Sequence, residues 1–245
     1  MYAAMAERTE CVRALIPVSD PRAVDELGSS ALMLAARQGN RDCVEALIPS
    51  GDPSAVDQYG GSALMWAACS GNADCVRALL PLSDVRARKT DGTTALMEAA
   101  FSGDTACETL LLSLNDPLAT DDRGNTALMF AVLSENTDCI RALLPVSDPS
   151  AVNKYGRSAL MKAARHEDAG FLGALIPESD PLAVDTDGCS ALMIAAYYGN
   201  AAGLEALIPA GDPEADDSGG RTALMLAAAA GHTDCVRPCF GRARP

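Results

Sequence analysis

Gly28-Ser29-Ser30-Ala31-Leu32-Met33-Leu34-Ala35-Ala36-Arg37-Gln38-Gly39-Asn40 is where the fold declares itself. Its Ala-Leu-Met centre returns at Ala63, Ala95, Ala127, Ala159, Ala191 and Ala223, always after 32 residues. A hydroxyl residue precedes each one: Ser30, Ser62, Thr94, Thr126, Ser158, Ser190 and Thr222. Self-similarity at one fixed period of this size marks stacked supersecondary units, each of which buries its apolar face against its neighbours. One quasi-linear array is expected, with function on its surface rather than in a catalytic pocket.

Outward from that stretch, each residue type has a local job. Gly28 suits a positive-φ turn. Ser30 is a natural N-cap, worth about 1 kcal/mol over Ala. Ala31 to Gln38 reads as a short helix with Leu32, Ala35 and Ala36 inward, and Gly39 ends it. Asn40 caps a second helix whose apolar face is Cys43, Val44, Leu47 and Ile48. Pro49 is expected to stop that helix. Asp52-Pro53 makes a turn, and the chain runs extended to Asp57, where the next unit begins.

Composition narrows the function. Apolar residues make up 49 % of the chain, enough for a continuous core. The net charge of −14 argues against a nucleic-acid partner. Much of that acidity is repeated structure: Asp20, Asp52, Asp84, Asp116, Asp148, Asp180 and Asp212 form one column. Asp25, Asp57, Asp121, Asp185 and Asp217 form another. Such residues bond nearby turn amides and say little about partners. Cys11, Cys43, Cys75, Cys107, Cys139 and Cys235 share one register position. Adjacent units place such residues roughly 8–10 Å apart, too far for a disulfide, so these cysteines read as small buried hydrophobes in a reducing, cytoplasmic protein. No apolar run long enough to cross a membrane and no signal peptide is read, and no cofactor or metal is expected.

Asp25-x-x-Gly28-x-Ser30-Ala31-Leu32-Met33-x-Ala35-Ala36-x-x-Gly39 resembles the ankyrin repeat, D-x-x-G-x-T-P-L-H-x-A-A-x-x-G, and Asp52-Pro53-Ser54-Ala55 is similar to its A-D-V-N-A turn. The resemblance implies an all-α ankyrin-repeat solenoid of stacked helix-turn-helix units with extended finger turns. It also implies a protein-protein interaction scaffold rather than an enzyme. Ala replaces the family's usual Pro and Met its usual His, so a Met column is expected to supply apolar packing where the family has a hydrogen bond. The Ala-Leu-Met and Cys pattern looks like the expanded ankyrin arrays of parasitic protists, some of which accompany a protein-kinase domain. No kinase motif is present.

In register, 1–24 is a partial repeat; 25–56, 57–88, 89–120, 121–152, 153–184 and 185–216 are complete. Residues 217–237 form a second partial repeat, and 238–245 a tail beyond a helix that Pro238 is expected to stop. Neither end carries the polar face of a capping repeat, so a segment of a longer array is expected.

Variable columns carry the candidate site. In ankyrin-like arrays the fingers and first helices line a concave face, and the aromatic residues cluster on the matching columns: Tyr59, Trp66, Phe101, Phe130, Tyr155, Tyr197 and Tyr198. Exposed aromatics beside Arg are common binding anchors. Trp66 and Phe130, each directly after a Met, could equally be half-buried between units. Lys154, Arg157, Lys162, Arg165 and His166 all fall in 153–184, a basic island that suits an acidic or phosphorylated peptide, or is an ordinary solvated face. Glu135 and Glu167 replace the helix-ending Gly there and one unit earlier, so the inter-helix turn is expected to differ at both. His232 stands in the Asn40 column as a helix cap. Catalysis is poorly supported, since only two histidines exist and the column cysteines read as core. A passive spacer within a larger ankyrin-array protein, kinase-linked where the resemblance to such arrays extends that far, is the competing function.

Overall fold

The computed structural model describes residues 2–5, 8–167 and 170–240, with side chains over 3–5, 8–167 and 170–236. It divides into two units, residues 1–122 and 123–245. The first holds α1 (Tyr2–Met5), α2 (Thr9–Leu15), α3 (Ala31–Arg37), α4 (Arg41–Leu47), α5 (Ala63–Cys69), α6 (Ala73–Leu79), α7 (Ala95–Ser102) and α8 (Thr105–Leu112). The second holds α9 (Ala127–Leu133), α10 (Thr137–Leu143), α11 (Ala159–Ala163), α12 (Gly170–Leu175), α13 (Ala191–Tyr198), α14 (Ala201–Leu207), α15 (Ala223–Ala230) and α16 (Thr233–Phe240). Extended pairing among the described residues is limited to isolated bridges such as Val56 with Ser62.

Helices this short are marginal alone, so their stability comes from caps and stacking. Each first helix in the 32-residue register is capped as expected: the amides of Met33, Met65, Met97, Met129, Met161, Met193 and Met225 donate to the hydroxyl three residues earlier. First helices then stack on first helices, α1 on α3, α5 and α7 in one unit and α9 on α11, α13 and α15 in the other; second helices do the same. The Ala-Leu-Met and Ala-Ala positions are buried in these interfaces from α5 to α13, while Ala31 and Leu224 are half-buried and Ala228 is exposed. Met33 adds a weak polar contact, its sulfur accepting from the Ser30 amide at 3.5 Å. Met225 departs from its column at 55 % exposure.

The second helices carry a capping device that also joins repeats. Asn72 Oδ1 accepts from the Cys75 amide at 3.0 Å while its Nδ2 donates to the Gly39 carbonyl of the preceding repeat at 2.7 Å. Asn200 caps the Gly203 amide and donates to the carbonyls of Ala164 and His166. His232, in the same column, does not cap with its ring; its carbonyl accepts from the Cys235 amide, and its Nδ1 would lie 2.6 Å from a Cβ added at Gly199.

Fingers are joined by backbone. Gln58 N–H donates to Leu27 O, and Thr90 N–H to Tyr59 O; in the second unit Thr186 N–H donates to Tyr155 O and Ser218 N–H to Asp187 O. This spacing fixes Gly28: φ is +79°, and a Cβ would sit 3.1 Å from the Gln58 nitrogen.

Pro49 ends α4 at Leu47 as expected, but three other expectations need correction. In four other repeats a 3₁₀ turn continues across the equivalent proline, at Ile16–Val18, Leu80–Leu82, Leu144–Val146 and Ile176–Glu178. Proline's fixed φ is helical, and at the first positions of the turn its missing N–H costs nothing. For the same reason of φ, α16 runs through Pro238 to Phe240, forgoing one backbone bond; residues 241–245 of the expected tail lie outside the described residues. Glu135 keeps the left-handed turn at φ 57°, so the turn does not change there. That conformation costs a non-glycine residue about 1–2 kcal/mol, and the Glu135 carboxylate is met by His166 of the following repeat at 2.8 Å. Glu167 does not, and α11 stops early at Ala163. Finally, Cys11 is exposed while Cys43, Cys75, Cys107, Cys139 and Cys235 are buried. The column faces the preceding repeat, as Thr9 beside Cys43 shows, and Cys11 stands in the first repeat of this chain.

Two predictions follow from burial. Burial pushes the Cys75 thiol up to about 11 and raises Cys107 further. In native protein, alkylation followed by peptide mass spectrometry should modify Cys11 first, and the buried column only at the rate of unfolding. Leu79→Ala, at a fully buried site, should lose about 2–5 kcal/mol in urea unfolding, whereas Tyr59→Ala, on an exposed finger, should change stability little.

Candidate functional site: two clefts on the finger and first-helix face

The finger geometry rests on one aspartate. Asp57 Oδ1 accepts the amides of Tyr59 and Gly61 at 2.9 and 2.8 Å, which curls the finger, and leaves Oδ2 for another donor. In this repeat the donor is Trp66 Nε1 at 2.9 Å. The indole also receives two cations, with Arg37 Cζ 5.1 Å and Lys89 Nζ 4.4 Å from the ring centroid. Trp66 is half-buried, and its only N–H is used inside the unit. Lys89 occupies the register position of Asp57 in the next finger, and its ammonium pairs with Glu98. Both side chains are nearly buried, at 12 % and 11 % exposure. The column after Met is therefore largely packing: Leu34, Glu98, Ile194 and Leu226 are buried, and Phe130 and Lys162 half-buried. Tyr59 and Phe101 stand exposed on this first unit.

In the second unit the five basic residues of 153–184 do not form one island. Lys154 is exposed on its finger. Arg157 Nε donates to the buried Asp185 Oδ2 at 3.0 Å, and its Nη2 lies 4.0 Å from Asp187. The cause is the same free Oδ2: Asp185 sits one finger on, and Arg157 reaches it across the repeat boundary. Lys162, Arg165 and His166 do come together, lining a cleft of about 210 Å³ with Leu133 and Tyr198. Arg165 is exposed, its guanidinium carbon 4.7 Å from the Tyr198 ring centroid, and it forms no ion pair among the described residues. His166 Nδ1 lies 2.8 Å from Glu135 Oε1, and its ring meets Phe171 edge-on. Phe130 and Tyr155 do not line this cleft; Tyr155 is exposed at a finger tip.

A larger cleft of about 480 Å³ adjoins it through Tyr198. Arg157, Tyr197, Ile194, Arg221 and Leu226 are among its walls. Arg221 grips Asp217 with two nitrogens, Nε at 2.9 Å and Nη2 at 2.7 Å from Oδ2. That contact lowers the Asp217 carboxyl below its ordinary range. No group of side chains suited to hold a metal ion is found among the described residues, and no described helix is long and apolar enough to cross a membrane.

The match to the family described as "Ankyrin repeats (3 copies)" covers residues 1–91, 51–117, 96–178 and 160–238. The chain belongs to the ankyrin-repeat family. Its fold is all-α, and the human ASB11 ankyrin repeat domain, seen in a crystal structure, is similar to it at a TM-score of 0.68. That likeness covers 100 % of this chain and 97 % of the other at 22 % identity, which speaks for the fold alone. No curated protein matches the chain. Ankyrin repeats are generally protein-protein interaction modules, typically scaffolds without catalytic activity.

Sequence reasoning passes over Arg221, and it reads Lys89, with Arg86 and Arg88, as a small basic spot of solvated finger residues, whereas Lys89 is nearly buried against Glu98. A signal existed for both. Arg157 and Arg221 share one register column, two repeats apart; Lys89 replaces the finger Asp in the same repeat where Glu98 follows the Met. Breaking a nearly buried pair is expensive because one charge stays behind. Lys89→Met or Glu98→Gln alone should destabilise the protein by about 3 kcal/mol. The double change Lys89→Asp with Glu98→Leu, which reproduces the Asp25 and Leu34 pattern, should recover most of that loss in urea unfolding.

Proposed function

We propose that this chain is a non-enzymatic interaction module that holds a partner protein through an acidic or phosphorylated segment laid along the finger and first-helix groove. The observation that carries this reading is the cleft where Lys162, Arg165 and His166 meet Tyr198 and Leu133. A guanidinium stacked on a ring is held in position while its N–H edges stay available, and that fork matches a carboxylate or phosphate in two-point fashion. Against a chain net charge of −14, this cleft would act at contact range rather than by long-range steering, because salt screens beyond about 8–10 Å. The exposed rings of Tyr59, Phe101, Tyr155, Tyr197 and Tyr198 would add anchors, with Trp66 and Phe130 as half-buried supports. Buried free thiols fit a reducing, cytoplasmic setting.

Affinity capture from the source cells should compare wild type with a Lys162→Glu, Arg165→Glu variant whose thermal unfolding is unchanged. Partners lost from the variant alone are the expected result. Identical captures would leave the chain as a passive spacer in a larger protein.

A further inference from the structure

We infer that the larger cleft reads a second carboxylate of the same partner segment and seats an apolar residue beside it, so that recognition is two-pronged. This rests on the interaction function proposed above and adds to it a spacing rule for the ligand.

Two arginines in one register column, Arg157 and Arg221, line this cleft from repeats on either side of α13. Each is pinned by a finger aspartate, Asp185 or Asp217, whose side chain is only 1 % exposed. The finger aspartate is committed to its own loop amides, so the arginine it holds is fixed before any ligand arrives. A pre-placed guanidinium loses little side-chain freedom on binding. Nη1 of each arginine has no hydrogen-bond partner among the described residues, nor do the hydroxyls of Tyr197 and Tyr198. Asp187 stands exposed near Arg157 and competes for it, which makes Arg221 the stronger of the two. Ile194 and Leu226 give the cleft an apolar wall.

The two clefts are one track. Arg165 stacks on Tyr198 at 4.7 Å, and Tyr198 meets Tyr197 edge-on at 5.2 Å. Arg165 and Arg221 stand two repeats apart, so at roughly 8–10 Å per repeat and about 3.3 Å per extended residue the carboxylates serving them would lie about five to six residues apart. A uniform polyanion such as nucleic acid suits this acidic chain poorly. A peptide with two spaced acids and an apolar residue between them matches the order cation, ring, apolar wall, cation.

Panning a phage-displayed random peptide library on the full chain tests this directly. Wild type should enrich peptides with two acidic positions at fixed spacing around an apolar one. Arg165→Gln should abolish the preference at one acidic position and Arg221→Gln at the other. Each should weaken the synthetic consensus peptide about tenfold or more, as loss of one charge-assisted hydrogen bond does. Gln keeps a donor for Asp217, and the exposed Tyr197→Ala serves as the second variant if Arg221→Gln unfolds. Peptides with a single acidic position, bound equally by wild type, Arg221→Gln and Tyr197→Ala, would overturn the second prong while leaving the first cleft standing. No enrichment on wild type would overturn both.

Discussion

A single carboxylate at the base of most fingers organises this protein. With one oxygen it gathers the amides two and four residues on, as Asp25, Asp57, Asp185 and Asp217 all do. Asn153 does the same with its amide oxygen. That bends the chain so that a hydroxyl residue arrives at the helix N-terminus in capping position and a backbone amide faces the preceding finger. Cap, finger ladder and helix stacking all inherit their register from this turn. An unpaired buried carboxylate would be intolerable, so the second oxygen must also find a donor. Trp66, Arg157 and Arg221 are three different solutions to that one requirement.

Those solutions are also what differentiates the surface. The fingers themselves are nearly uniform. The donors that satisfy Oδ2 of Asp57, Asp185 and Asp217 are large, cationic or aromatic, and lie on the finger and first-helix face. Structural necessity thus deposits an arginine or an indole beside the groove, and binding chemistry can be built on a side chain already fixed for another reason. Lys89 inverts the scheme: a cation replaces the carboxylate, and Glu98, from the first helix, supplies the missing negative charge.

Much of this was legible because it is local. The 32-residue period, the Ser or Thr cap, the glycine after the first helix and the apolar Cys column each concern residues within a turn or two of one another. Their chemistry admits few alternatives. What escaped the sequence crosses between repeats. Arg157 reads as a surface cation until Asp185, 28 residues on, is seen to take it. Glu135 reads as incompatible with a left-handed turn until its φ of 57° is seen and His166 receives its carboxylate. The basic island of 153–184 narrows to Lys162, Arg165 and His166 for this reason: register fixes which column a side chain occupies, but not which neighbour it answers to.

Repeat proteins change length by unequal exchange, gaining or losing whole units, and the contacts described here are not equally tolerant of such editing. The Trp66–Asp57, Lys89–Glu98 and Arg221–Asp217 pairs each lie within one 32-residue period and would travel intact with it. The Asn125–Asn153, Glu135–His166 and Arg157–Asp185 contacts do not: each straddles a boundary. These three contacts tie each period of 121–216 to the next. Excising or duplicating a single period there gives these side chains new neighbours, and between 57 and 120 it would do the same to Asn72 with Gly39 and to Lys89 over Trp66. Copy number in this array is therefore constrained by the side chains that join repeats as well as by the uniform register that lets them stack.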